Sequence, residues 1–125
     1  MITQDLTPIY LKLADRICDG ILSGKYETQG RIPSVRELAT LNEVNPNTAM
    51  RAFDWLQQKE IIFNKRGMGY FVSPKAIEII TEVRKEDFCN NTLPFVFKTM
   101  LSLDIDIEEI SLKFEEYKTK KSKIK

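Results

Sequence analysis

A mostly helical chain with one small β-hairpin is what these 125 residues predict. Three observations carry that prediction. Apolar residues return at helical spacing in three short segments between Pro8 and Lys59. Two β-prone runs then flank a basic, glycine-rich loop. From Ser73-Pro74 onward the pattern is helical again. We therefore expect two domains, residues 1–73 and 74–125, the second ending in a basic tail.

The first helix is expected from Pro8 to Ser23, with Ile9, Leu13, Ile17 and Ile21 on one face and Gly24 as its stop. Ser34-Val35-Arg36-Glu37 has the form of a capping box, in which the Ser34 hydroxyl caps and Glu37 reaches back. It opens a short helix from Val35 to Leu41. Asn45 as cap and Pro46 in the first turn open a third, running to about Lys59. Only Asn42 to Val44 separate the last two, too few for a long-armed hairpin. Ile61-Ile62-Phe63 and Gly69-Tyr70-Phe71-Val72 read as strands, and Gly67 and Gly69 permit the hairpin between them. Helix, turn, helix and hairpin in this order form a winged helix-turn-helix, with a core of Ile17, Ile21, Leu38, Phe53, Leu56 and Ile61. Beyond it, helices are expected from Lys75 to Asn90, from Pro94 to Leu103 and from Asp106 to Tyr117. A break falls at Asn91 to Pro94, and the tail frays from Thr119.

Composition narrows the function classes. The net charge is +1, so affinity for a polyanion must come from local placement of charge. There is no histidine, which removes the usual general base and metal ligand. Neither paired acids nor a phosphate-binding loop is present, and an enzyme, a cofactor or a bound metal is not expected. Cys18 and Cys89 read as small buried hydrophobes in a reducing compartment. No apolar run reaches the length of a membrane span, so a cytoplasmic protein is expected.

The outward face at the start of the third helix carries Asn47, Thr48 and Arg51. Asparagine and arginine pair well with adenine and guanine edges, and threonine suits a phosphate. With Arg36 before them and Lys65, Arg66 and Gly67 after them, these residues point to double-stranded DNA. Met68 stands at the wing tip, either against a sugar in the minor groove or as an exposed gap filler.

The stretch resembles the winged domain of GntR-family transcriptional regulators. It matches their L-P-S-x-R-x-L-A pattern at Ile32-Pro33-Ser34, Arg36 and Leu38-Ala39. Val44-Asn45, Thr48 and Ala52 follow, then Ile61-Ile62 and the wing Arg66-Gly67-Met68-Gly69-Tyr70-Phe71-Val72. The segment Val44 to Thr48 and the short helical C-terminus look like the YtrA subfamily, whose appendage dimerises. The resemblance implies a DNA-binding surface of Ser34, Arg36, Asn45, Asn47, Thr48, Arg51, Lys65, Arg66, Gly67, Met68 and Gly69. It departs at Pro46 and Met50, where many relatives have arginine. It implies repression of an operon, often one that encodes a transporter. The apolar crowding of Phe88, Phe95, Met100, Leu103, Ile110 and Phe114 suits a homodimer interface on a pseudo-palindromic operator. The alternative reading is a winged module that binds protein instead of DNA. No polar signature identifies a small-molecule effector.

Overall fold

The computed structural model describes residues 6–124, with side chains to Lys121. Six α-helices and one hairpin follow in order: α1 Ile9–Leu22, α2 Val35–Leu41, α3 Pro46–Gln58, β1 Ile62–Lys65, β2 Gly69–Val72, α4 Ala76–Asp87, α5 Leu93–Leu103 and α6 Ile107–Ile124. The chain divides into two compact units, residues 1–83 and 84–125.

In the first unit α1 starts directly after Pro8 and ends at Ser23, with Gly24 beyond it at φ +88°. Leu13, Ala14, Ile17, Cys18 and Ile21 are buried, whereas Ile9, expected on the same face, is 60% exposed. It belongs to the first turn, ahead of the point where the core begins. The Ser34 hydroxyl accepts from the Glu37 N–H at 3.1 Å, and the Glu37 carboxylate accepts from the Ser34 N–H at 2.8 Å. This reciprocal cap fixes the start of α2. The Asn45 side chain accepts from the Asn47 N–H at 2.7 Å and starts α3, with Pro46 in its first turn. Between the two helices Glu43 takes φ +54° and the Val44 N–H donates to the Ala39 carbonyl. That left-handed residue reverses the chain within the three-residue turn.

Strands β1 and β2 pair antiparallel, with Ile62 opposite Val72 and Lys65 opposite Gly69. A third segment lies along β2. The Ile32 N–H donates to the Tyr70 carbonyl, the Gln29 N–H to the Val72 carbonyl, and the Val72 N–H to the Gly30 carbonyl. Arg31 thereby comes to bridge Phe71. The core gathers Leu13, Ile17, Ile21, Leu38, Phe53, Leu56, Ile61, Ile62 and Val72. It also takes in Ala76 and Ile80 from α4. Packing therefore carries the first unit ten residues past Ser73, because one face of early α4 completes the core.

The described residues of the second unit are helical except for the turn at 104–106. No break occurs at Asn91 to Pro94. Phe88–Thr92 form one π-helical segment that joins α4 to α5. Pro94 has no N–H to give and its ring crowds the carbonyl four residues back. A widened turn absorbs that misfit without ending the helix. Asp104, at φ +57°, ends α5, and the Asp106 carboxylate caps α6 through the Glu109 N–H at 3.0 Å. The tail expected to fray from Thr119 is helical to Ile124. Cys89, expected buried, is exposed within the π-helical segment. Among the described residues no helix is long and apolar enough to cross a membrane.

Candidate nucleic-acid interface

Helix α3 buries Ala49, Ala52, Phe53 and Leu56. At 3.6 residues per turn, the side opposite these carries Asn47 and Arg51, one turn apart. Both are exposed, and Thr48 and Met50 flank them half-buried. Asn45 contributes its side-chain oxygen to the cap, so that oxygen already accepts from the Asn47 N–H. Ser34 is likewise engaged in capping α2. These two residues shape the helix starts, while the Asn47 and Arg51 side chains are exposed.

Arg36 is exposed on α2 and lines a shallow depression with Glu37, Thr40 and Leu41. The capping hydrogen bonds from Ser34, backbone first and hydroxyl second, hold the Glu37 carboxyl below its usual range; the nearby Arg31 charge adds to this. Glu37 is thus an anion at neutral pH beside a cationic surface.

The hairpin turn is Arg66-Gly67-Met68. The Met68 N–H donates to the Lys65 carbonyl at 2.8 Å, and Gly67 takes φ +77°. A positive φ at the third residue fits a type II turn, which favours glycine there. Gly69 takes φ +106°, and a Cβ on it would stand 3.2 Å from Arg31 Nε. The Arg31 side chain therefore lies against the wing at Gly69, the strand partner of Lys65. Phe63 and Phe71 stack across the two strands with centroids 5.9 Å apart, and the Lys65 ammonium sits 4.5 Å from the Phe71 centroid. The wing is anchored by Tyr70, whose ring meets buried Phe53 of α3 edge-on at 4.8 Å. One aromatic contact thus ties the outward-facing helix to the basic hairpin. Met68 at the tip is 58% exposed.

Three contributors were not singled out from the sequence. Arg31 reaches the wing through the pairing of residues 29–32 with β2. Tyr10 of α1 lies under the Arg51 guanidinium, 4.3 Å from carbon ζ to the ring centroid. Arg16 donates to the Asn42 side chain at 2.8 Å, bracing the turn between α2 and α3. Only the basic character of Arg31, one residue before the Ile32-Pro33-Ser34 motif, hinted at any of these.

Of the six apolar candidates in the second unit, Phe88, Phe95, Leu103 and Phe114 are exposed, Ile110 is half-buried and Met100 is buried. Leu101, Leu112 and Tyr117 add to the exposed apolar surface. Among the described residues no group of His, Cys, Asp or Glu is placed to hold a metal ion.

A short helix, a tight turn, an outward-facing second helix and a basic hairpin define a winged helix-turn-helix regulator. The chain belongs to the gntR family of bacterial regulatory proteins, whose family model matches residues 9–72. It is a transcriptional regulator and not an enzyme. It is 35% identical to the HTH-type transcriptional regulator YhcF of Bacillus subtilis, over 86% of this chain and 87% of that one. With the HTH-type transcriptional repressor YtrA of the same organism it shares 37% identity, over 61% of this chain and 58% of that protein. A GntR-family regulator from Bacteroides thetaiotaomicron superposes with a TM-score of 0.82 at 46% identity, covering 91% of this chain and 99% of the other. The DNA-binding domain of AraR, solved in complex with operator ORR3, superposes with a TM-score of 0.54 at 25% identity, covering 58% of this chain and 88% of that domain.

Proposed function

We propose that this regulator is a cytoplasmic homodimer that binds a pseudo-palindromic operator and represses transcription. The observation that carries the reading is the exposed pair Asn47 and Arg51 on α3, in a unit whose wing carries Lys65 and Arg66 and has Arg31 against its Gly69. The AraR complex with operator DNA and the repressor role in YtrA's name support it. Asn47 and Arg51 read bases, whereas Arg36, Thr48, Lys65 and Arg66 hold phosphates. Gly67 and Gly69 shape the wing, and Met68 meets the sugar edge at its tip. Following the family resemblance, the regulated operon includes a transporter.

Dimerisation falls to the second unit. Phe88, Phe95, Leu103 and Phe114 leave more apolar surface exposed than a monomeric helical unit of this size normally carries. A twofold dimer sets two α3 helices about 34–36 Å apart, or a multiple, to meet half-sites one helical turn apart. The decisive experiment is selection of duplexes from a random library with the intact protein, followed by binding at two salt concentrations. An inverted-repeat consensus is expected. Arg66→Ala should weaken all duplexes alike and reduce the salt slope by about one unit. A fragment ending at Val83 should fold, stay monomeric and bind the consensus about 10²–10⁴-fold more weakly, because linked binding is lost. Absence of any consensus would leave the winged protein-binding module as the better reading.

A further inference from the structure

Tyr10 and Arg51 are far apart in sequence and meet across the packing of α1 on α3. The Tyr10 ring is half-buried against the core, and the exposed Arg51 guanidinium lies 4.3 Å from its centroid. A guanidinium that stacks through its flat face keeps its N–H donors, which lie in its plane, available at the rim. An arginine without such a support has several rotatable bonds to order before it can make a bidentate contact.

We propose that Tyr10 is a positioning residue for base reading: its ring holds the Arg51 guanidinium in the orientation from which it addresses a base edge. This rests on the reading of Arg51 as a base contact. Tyr10 itself touches no DNA in this scheme. Its hydroxyl is dispensable, because the attraction comes from the face of the ring.

The test uses the full chain and the tightest duplex recovered from a random-sequence library. Arg51→Ala first identifies the base pair whose substitution the variant no longer senses. Preference for the selected base at that pair is then measured for Tyr10→Phe and Tyr10→Leu. Phenylalanine should keep the preference. Leucine, which retains apolar packing but not the ring, should lose about two- to fivefold of it, the size of an exposed cation–π contact. Its salt slope should stay that of the parent. On the Arg51→Ala background, Tyr10→Leu should bring no further loss.

Three results from the variants would overturn the proposal. The leucine variant could discriminate as well as the parent. It could bind more tightly, which would mean that the stack withholds Arg51 from DNA. Or it could lose the same factor without Arg51, which would mark Tyr10 as structural only. A library that yields no consensus would remove the base-reading role of Arg51 and this proposal with it. A clear consensus with unaltered leucine discrimination would remove this proposal alone.

Discussion

Replacing each wing glycine in turn by alanine tests how the hairpin is built. Gly67 at φ +77° has open space around it, so alanine there meets only the intrinsic penalty of a left-handed backbone. That is about 1–2 kcal/mol. Gly69 at φ +106° lies outside the ordinary left-handed region, and its new methyl would stand 3.2 Å from Arg31 Nε. Strain of this kind costs about 1–3 kcal/mol, and a φ so far from the left-handed region puts it toward the upper end, while the exposed Arg31 side chain need give only a few tenths of an ångström. Ile62 and Val72 at the root of the hairpin are 2% and 0% exposed, so distortion of the wing is felt in the core. For a unit of this size each kcal/mol lowers the melting temperature by about 4–8 °C. Gly69→Ala should therefore melt about 8–24 °C lower, and Gly67→Ala about 4–16 °C lower. Thermal and urea unfolding of both variants decide the matter. If Gly69→Ala melted within 2 °C of the parent, or Gly67→Ala proved the more damaging, the account of the strained backbone at Gly69 would be wrong.

Three further outcomes concern the same unit. Phe53→Ala should destabilise it by about 3–5 kcal/mol in urea, since the ring is fully buried. A double-mutant cycle with Tyr70→Ala should return a coupling of about 0.5–1.5 kcal/mol, and a coupling near zero would mean that the edge-on contact at 4.8 Å ties nothing together. Glu37 carries a pH signature. Its folded-state carboxyl titrates below the ordinary value of 4.5, so its contribution is complete above that value and is lost as pH falls through the folded pKa. Urea melts between pH 7 and pH 3 should show the parent losing stability relative to Glu37→Gln below about pH 4.5; parallel curves would exclude the cap as the source.

The local signals in this sequence were strong where the physics is local. Ser34 with Glu37, and Asn45 with Pro46, placed two helix starts to the residue, because a cap is satisfied within three positions. The glycines at 67 and 69 announced the hairpin for the same reason. Signals that depend on distant partners were not readable. Nothing near Arg31 says that residues 29–32 will lie along β2, and nothing near Tyr10 says that Arg51 will rest on it. Asn91-Thr92-Leu93-Pro94 has the composition of a break, yet the backbone keeps its helical course by widening one turn. Cys89 sat in a helical pattern that did not disclose which side would face solvent. Ser73-Pro74 signalled a new element, but a helix start and a packing boundary are different things, and Ala76 and Ile80 belong to the core behind them.

The segment 29–32 that lies along β2 also bears on solubility. A free hairpin offers hydrogen-bonding groups along two edges, each a template for another chain. Here Gln29, Gly30 and Ile32 occupy the outer side of β2, so strand addition there is already closed off. What remains is the edge of β1, four residues long and ending in Lys65, with Arg66 next to it. A short edge that ends in cations repels a like copy and leaves little length to pair. Such an edge lets the wing gather positive charge beside aromatic rings without making that end of the molecule a seed for aggregation.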